Sequence, residues 1–165
     1  MRKSKEGYPQ QSLAELIYNV LYDNRVNGKN NFLTDSAISI RVMNFVNAED
    51  EDGNPENEED KFYGKIIQPK TIRSQMGAVR TIGDESGVTI IARRKKEGKN
   101  GDDLKGWIIT GWRFADKGDE KHIHAEIELR ANRRNGYSNS ALRISNNAKS
   151  KGILPKNDNQ VSIEE

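Results

Sequence analysis

"TIRSQMGAVRTIGDESGVTIIARR", from Thr71 to Arg94, changes its period partway along. Up to Ile82 the apolar residues Ile72, Met76 and Val79 fall on one side of a helix at ~100° per residue. From Val88 the chain becomes β-branched, "VTIIA", and reads as a strand. Pro69 suits entry to the helix and Thr71 is its candidate N-cap. Gly83 is its expected end, because glycine commonly terminates helices. The face opposite the apolar one carries Lys70, Ser74, Gly77 and Thr81, with Ala78 nearby. Arg73 and Arg80 flank that face on one edge, and Gln75 on the other.

Upstream, two further helices are expected. In "SLAELIYNVLYDN", Leu13, Leu16, Ile17, Val20 and Leu21 share one helical face, and Ser12 with Glu15 forms a capping box. In "TDSAISIRVMNFV", Thr34, Asp35 and Ser36 offer capping oxygens, and Ile38, Val42, Phe45 and Val46 repeat the pattern. The β-branched content of this second segment leaves a strand as the alternative. Between it and Pro69 lies "EDEDGNPENEED" (Glu49 to Asp60), too charged and too poor in apolar residues to build a core. A mobile acidic loop over residues 47–61 is expected there.

Downstream, "VTIIARR" and "LKGWIITGWRF" read as the strands of a hairpin. The stretch that joins them, "RRKKEGKNGDD", puts four consecutive cations at its tip. Beyond it, residues 117–150 read as weakly amphipathic helix that Gly136 divides in two, with Ile123, Ile127 and Ala131 as a narrow apolar stripe. Residues 1–10 and 151–165 are expected to be flexible ends.

Composition narrows the functional classes. Among 165 residues, 33% are hydrophobic and 32% charged, with mean hydropathy -0.90, so a thin core and generous loops are expected. Cysteine is absent, which excludes a disulfide framework and thiolate metal sites. No apolar run reaches the ~20 residues of a membrane span, and "MRKSKEGYPQ" lacks the apolar middle of a signal peptide, so a cytoplasmic address is expected. The net charge of +2 hides an asymmetry. Glu49–Asp60 holds eight acids; removing them from the 25 in the chain leaves 17 against 27 bases, a net +10 on everything else. Such a body suits a polyanionic partner, which would repel the acidic stretch.

Enzyme signatures are missing. His122 and His124 lie two apart, on different sides of a helix, and read as surface residues, not metal ligands. Counted from Asp50, the sixth position is Pro55, where a calcium loop needs glycine. There is no phosphate-binding glycine loop, nucleophile elbow or triad signature. No enzymatic activity, cofactor or metal is expected.

Three helices followed by a hairpin, with "TIRSQMGAVRTIGDESGVTIIARR" leading to "GWIIT", resemble the winged helix-turn-helix proteins of bacterial and phage replication and repressor families. The resemblance covers residues 11–116 and implies an α+β, mostly helical fold: three helices and a two-stranded β-hairpin wing, followed by C-terminal helices. It further implies a non-enzymatic protein that binds double-stranded DNA, as a transcriptional regulator or replication accessory. A phage or mobile-element origin follows by fold-level analogy alone. Lys70, Thr71, Arg73, Ser74, Gln75, Arg80 and Thr81 would then face the major groove, and Arg93, Arg94, Lys95, Lys96 and Lys99 would lie on the wing against the backbone. The residue types suit those tasks. Small side chains let a helix approach DNA closely, arginine and glutamine reach guanine and adenine edges, and wing cations neutralise phosphates. The acidic insertion departs from the short turn these proteins usually have between their second and third helices.

Two partner classes therefore stand at the level of sequence. One is DNA; the other is a nucleic-acid-processing protein, bound by a phage-type anti-defence inhibitor or adaptor (an anti-CRISPR, for example) on a winged-helix scaffold. A homodimer through residues 119–150 is also expected, with Ile123, Ile127, Ala131, Leu142 and Ile144 available to a second copy. The competing reading is that these helices fold back on their own chain.

Overall fold

The helix, helix, helix, hairpin order is present in the computed structural model, which describes residues 11–98, 103–131 and 137–156. The elements are α1 Leu13–Val26, α2 Asp35–Val46, α3 Pro69–Glu85, β1 Ile90–Lys95, β2 Ile108–Phe114, α4 Glu120–Ala131 and α5 Tyr137–Ser150. Among the described residues, five helices and one two-stranded antiparallel sheet make the protein α+β and mostly helical. None of the described helices is long and apolar enough to cross a membrane. The contacts of the chain divide into two units. Unit 1 runs to Ile82 and includes Thr110–Arg113; unit 2 comprises Gly83–Ile109 and the chain from Phe114 onward. The sequence reading groups the hairpin with the helices before it. The contacts place β1 and both ends of β2 with the helices after it.

In unit 1, α1 begins with the expected capping box: the Glu15 backbone N–H donates to Ser12 Oγ at 3.2 Å, and Glu15 reaches back to the Ser12 N–H. Leu16, Ile17, Val20 and Leu21 are buried on its inner face. The second segment is a helix and not a strand; Thr34 caps it by accepting from the Ala37 N–H at 3.0 Å. Ile38, Val42 and Val46 are fully buried, while Phe45 is only half-buried. Each fully buried aliphatic side chain contributes about 1.5–3 kcal/mol of transfer free energy, and these two faces share the core of the unit with Ile72, Met76, Val79 and Trp112.

The acidic stretch is not the unstructured loop that its composition predicts. It folds into successive turns. Glu49 and Pro55 form an antiparallel bridge, and Asp50 Oδ1 accepts from the backbone N–H groups of Asp52 and Asn54, both at 2.9 Å. Asn57 Nδ2 donates to the Phe45 carbonyl at 3.0 Å, and Asp60 Oδ1 accepts from the Phe62 N–H. Short polar side chains supply here the backbone hydrogen-bond partners that helix and sheet ladders supply elsewhere.

Helix α3 starts at Pro69, two residues before the expected cap; Gln68 contributes the carbonyl that accepts from Thr71 and Ile72. It also runs through Gly83 and ends after Glu85. The stop is Gly87, at φ +75°, where the Val88 N–H bonds to the Gly83 carbonyl and the Gly87 N–H to that of Asp84. Gly83 serves a close approach instead: a Cβ there would lie 2.9 Å from the Val88 carbonyl oxygen.

In unit 2, Ile90, Ile91, Phe114, Ile123, Ile144 and Leu154 are buried, and α4 packs against both α5 and β1. Of the residues expected to serve a second copy, Ile123 and Ile144 are thus covered by their own unit. Ile127 is half-buried, and Ala131 and Leu142 are exposed. The division expected at Gly136, the N-terminal residues 1–10 and the tail from residue 157 lie outside the described residues. Lys151–Leu154 is not loose: it closes α5 with Gly152 at φ +74° and buries Leu154.

Candidate nucleic-acid interface

Helix α3 separates its residues as the wheel predicts. Ile72, Met76 and Val79 are buried, and Lys70, Arg73, Ser74, Gly77, Ala78 and Thr81 are exposed. Thr71, Gln75 and Arg80 are intermediate. Ser74 and Thr81 bond back to the helix through Oγ to the Thr71 carbonyl (2.8 Å) and Oγ1 to the Gly77 carbonyl (3.2 Å). A Cβ on Gly77 would touch nothing within 4 Å. Ser74, Gly77, Ala78 and Thr81 therefore form a low stripe of small side chains on the helix surface.

The two arginines at the margin of this stripe are held by Trp112. The Arg80 guanidinium lies 4.9 Å from the centre of the Trp112 ring, and that of Arg73 lies 6.0 Å from it. Arg73 Nε also donates to Asp35 Oδ2 at 2.9 Å. The Trp112 indole N–H donates to the other oxygen of the same carboxylate at 2.9 Å, and the ring is 2% exposed. Its backbone is fixed too, because Leu33 and Trp112 exchange both backbone hydrogen bonds at 2.9 Å. Gly111 allows this approach: a Cβ would sit 2.9 Å from that of Phe32, over whose ring Arg113 lies at 4.4 Å. Asp35 and Trp112 carry no role in the sequence reading beyond capping and packing. A single acid in the first turn of α2, with a tryptophan in a strand, was the only signal available.

The cations of the hairpin are not equivalent. β1 extends to Lys95, so Arg93, Arg94 and Lys95 belong to a strand and not to the tip. Alternation places Arg94 on the same face as Ile90 and Ala92. It is buried, with Nη2 3.3 Å from Oε1 of the buried Glu126 on α4. Arg94 is therefore committed to packing in unit 2 and does not face outward as the sequence reading expects. Arg93 and Lys95 are half-buried, Lys96 is exposed, and Lys99 lies outside the described residues.

Asp103 anchors the far side of the tip. Its N–H donates to the Arg94 carbonyl at 2.7 Å, and its carboxylate accepts from the Lys105 N–H at 3.0 Å and pairs with Lys96 at 3.5 Å. The Lys105 N–H, and after it the Lys96 ammonium, hold this carboxyl below the usual carboxylate range. His122 and His124 face Asp119 and Glu120 separately, at 3.9 and 3.7 Å, and no metal-binding group of acids and histidines occurs among the described residues.

In unit 1, α3 thus offers a small-residue face with Lys70 on it and Arg73 and Arg80 set at its edge; in unit 2, taken by itself, the end of β1 carries Arg93, Lys95 and Lys96. Comparison with protein-family models, with curated proteins and with solved structures finds no match to this chain.

Proposed function

We propose that this chain is a winged-helix protein that binds double-stranded DNA without catalysing a reaction, as a regulator of transcription or a replication accessory. The observation that carries the reading is the outer face of α3. It is long, exposed and built of small side chains, and Arg73 stands at its edge with its Nε fixed by Asp35. Such a face suits the major groove, where a fixed guanidinium discriminates bases without losing much side-chain entropy. Lys70, Ser74, Gln75 and Thr81 would take further base or phosphate contacts. Arg93, Lys95 and Lys96 would neutralise phosphates. The bridge between Leu33 and β2 supports a winged helix further, since it joins the connection before α2 to the second strand of the hairpin. Selection from a pool of randomised duplexes tests the reading: a shared enriched sequence supports it, and an unenriched pool counts against sequence-specific binding.

One observation favours a second reading, a protein-binding inhibitor or adaptor. The acidic turns hold seven exposed carboxylates, Glu49 to Asp52, Glu56, Glu58 and Glu59, on an ordered backbone that could imitate a polyanion. Capture of one dominant protein from host extract after nuclease treatment, lost when those acids are neutralised, would favour it over DNA.

A further inference from the structure

Among the described residues of unit 2, one large aromatic side chain lies outside the core. Trp107 is 66% exposed, whereas Trp112 is 2% exposed. An exposed indole is normally a poor choice for a surface, and here it is presented by a fixed support. The segment just before it is tied to the end of β1 by the Asp103 N–H on the Arg94 carbonyl, and it closes on itself by the Gly106 N–H on the Asp103 carbonyl at 3.0 Å. Gly106 lies so close to β1 that a Cβ there would fall 2.3 Å from the Lys95 carbonyl oxygen, so only glycine fits. The indole therefore projects from a braced turn and not from a free loop.

Its surroundings are cationic. Among the described residues, Gly106 beside the tryptophan lies against the Lys95 carbonyl, Lys105 stands two positions before it, and Lys96 pairs with Asp103 in the turn that leads to it. Lys96 and Lys105 pair with acids at exposed positions, where ion pairs are weak and a phosphate can replace the carboxylate. A flat aromatic among lysines is the combination that binds single-stranded nucleic acid: the ring stacks on an unpaired base while the cations hold the adjoining phosphates.

We infer that Trp107 is a base-stacking residue, and that the DNA this protein takes includes an unpaired stretch. This rests on the DNA-binding reading above and specifies its substrate. Duplex DNA alone gives the ring no unstacked base to cover, so the inference separates a single-strand contact at the hairpin from duplex contacts by α3.

The test uses the full chain, a labelled dT oligonucleotide and a labelled duplex, at low salt. Wild-type protein, Trp107→Ala, Trp107→Phe and Trp107→Leu are compared, and urea unfolding confirms that each is folded. The wild type is expected to bind the dT strand with quenching of its tryptophan emission. Trp107→Ala should lose about fivefold or more in affinity for that strand, and Trp107→Phe should keep most of it. Trp107→Leu should behave like the alanine variant, because stacking needs a ring. Duplex affinity should stay within about twofold in all three, since the ring has no stacked base to replace. Alanine or leucine variants that bind the dT strand as wild type does would overturn the inference, as would a wild type that binds duplex only. That last result leaves duplex binding standing. Binding to neither nucleic acid would remove both readings.

Discussion

The indole N–H of Trp112 donates to Asp35 across 77 positions of sequence, and the same carboxylate orients Arg73. One side chain in the first turn of α2 thus fixes a buried tryptophan in β2 and a surface arginine on α3. Replacing Asp35 by alanine leaves the indole donor without its partner. A loss of about 1–3 kcal/mol is expected, read as a lower urea midpoint at unchanged slope. Asp35→Asn keeps an acceptor for the indole and should lose less. Equal losses would show that the Trp112 bond contributes nothing.

Two glycines of α3 should respond in opposite directions to alanine. At Gly77 the new methyl meets nothing within 4 Å, so the helix gains roughly 1 kcal/mol from the better helix former. At Gly83 the methyl would press on the Val88 carbonyl at 2.9 Å, a backbone atom that cannot rotate away. A net destabilisation of about 1–3 kcal/mol is expected there. Because the propensity gain is common to both sites, the difference between their melting curves reports the contact. On the proposed function, Gly77→Ala should also weaken duplex binding despite the added stability, by raising the surface proposed to enter the groove.

Arg94 and Glu126 form a buried ion pair, so breaking it from one side should be severe. Glu126→Ala leaves the guanidinium buried and is expected to cost roughly 3–5 kcal/mol in chemical unfolding. Replacing both, Arg94→Met with Glu126→Leu, should recover most of that. The folded double variant should bind duplex as the wild type does, whereas Lys95→Ala with Lys96→Ala should bind it more weakly. Loss of binding in the double variant would return Arg94 to the interface.

The turn before Trp107 should be sensitive to acid. Asp103 has its carboxyl lowered below the ordinary 3.8, chiefly by the Lys105 N–H. Its contribution is therefore fully present above pH 3.8 and is lost as pH falls through the lowered value. Carboxyl chemical shifts followed by NMR should give a midpoint below 3.8, and the Lys105 amide should move with it. A midpoint at or above that value would mean that the turn does not hold the carboxylate.

What the sequence discloses depends on how local the cause is. Buried stripes at helical spacing, such as Leu16, Ile17, Val20 and Leu21, are visible because one element generates them, and so is the Ser12–Glu15 capping box. Gly83 is misread because its constraint comes from the Val88 carbonyl, which passes close only once the chain has turned at Gly87. Arg94 was legible in principle. It alternates with Ile90 and Ala92, yet a run of four cations draws attention to charge before period. The acidic turns are opaque to composition, since hydrogen bonds such as those of Asp50 and Asp60 depend on where a carboxylate sits and not on how many there are. Asp35, Arg73, Arg80 and Trp112 come from three distant segments, and nothing in any one of them announces the others.

The proposed duplex recognition through α3 is tested by titration of labelled duplexes with the full chain across a salt series. Binding should be strong at low salt and fall linearly on a logarithmic salt axis, by an order of magnitude or more between about 50 and 200 mM. Lys95→Ala with Lys96→Ala should flatten that slope by about 2 and weaken all duplexes alike, while Arg73→Ala should erase preference among sequences at roughly 1–3 kcal/mol. A folded protein that binds no duplex at low salt, or one whose binding ignores both the salt and these substitutions, would rule out duplex recognition by α3.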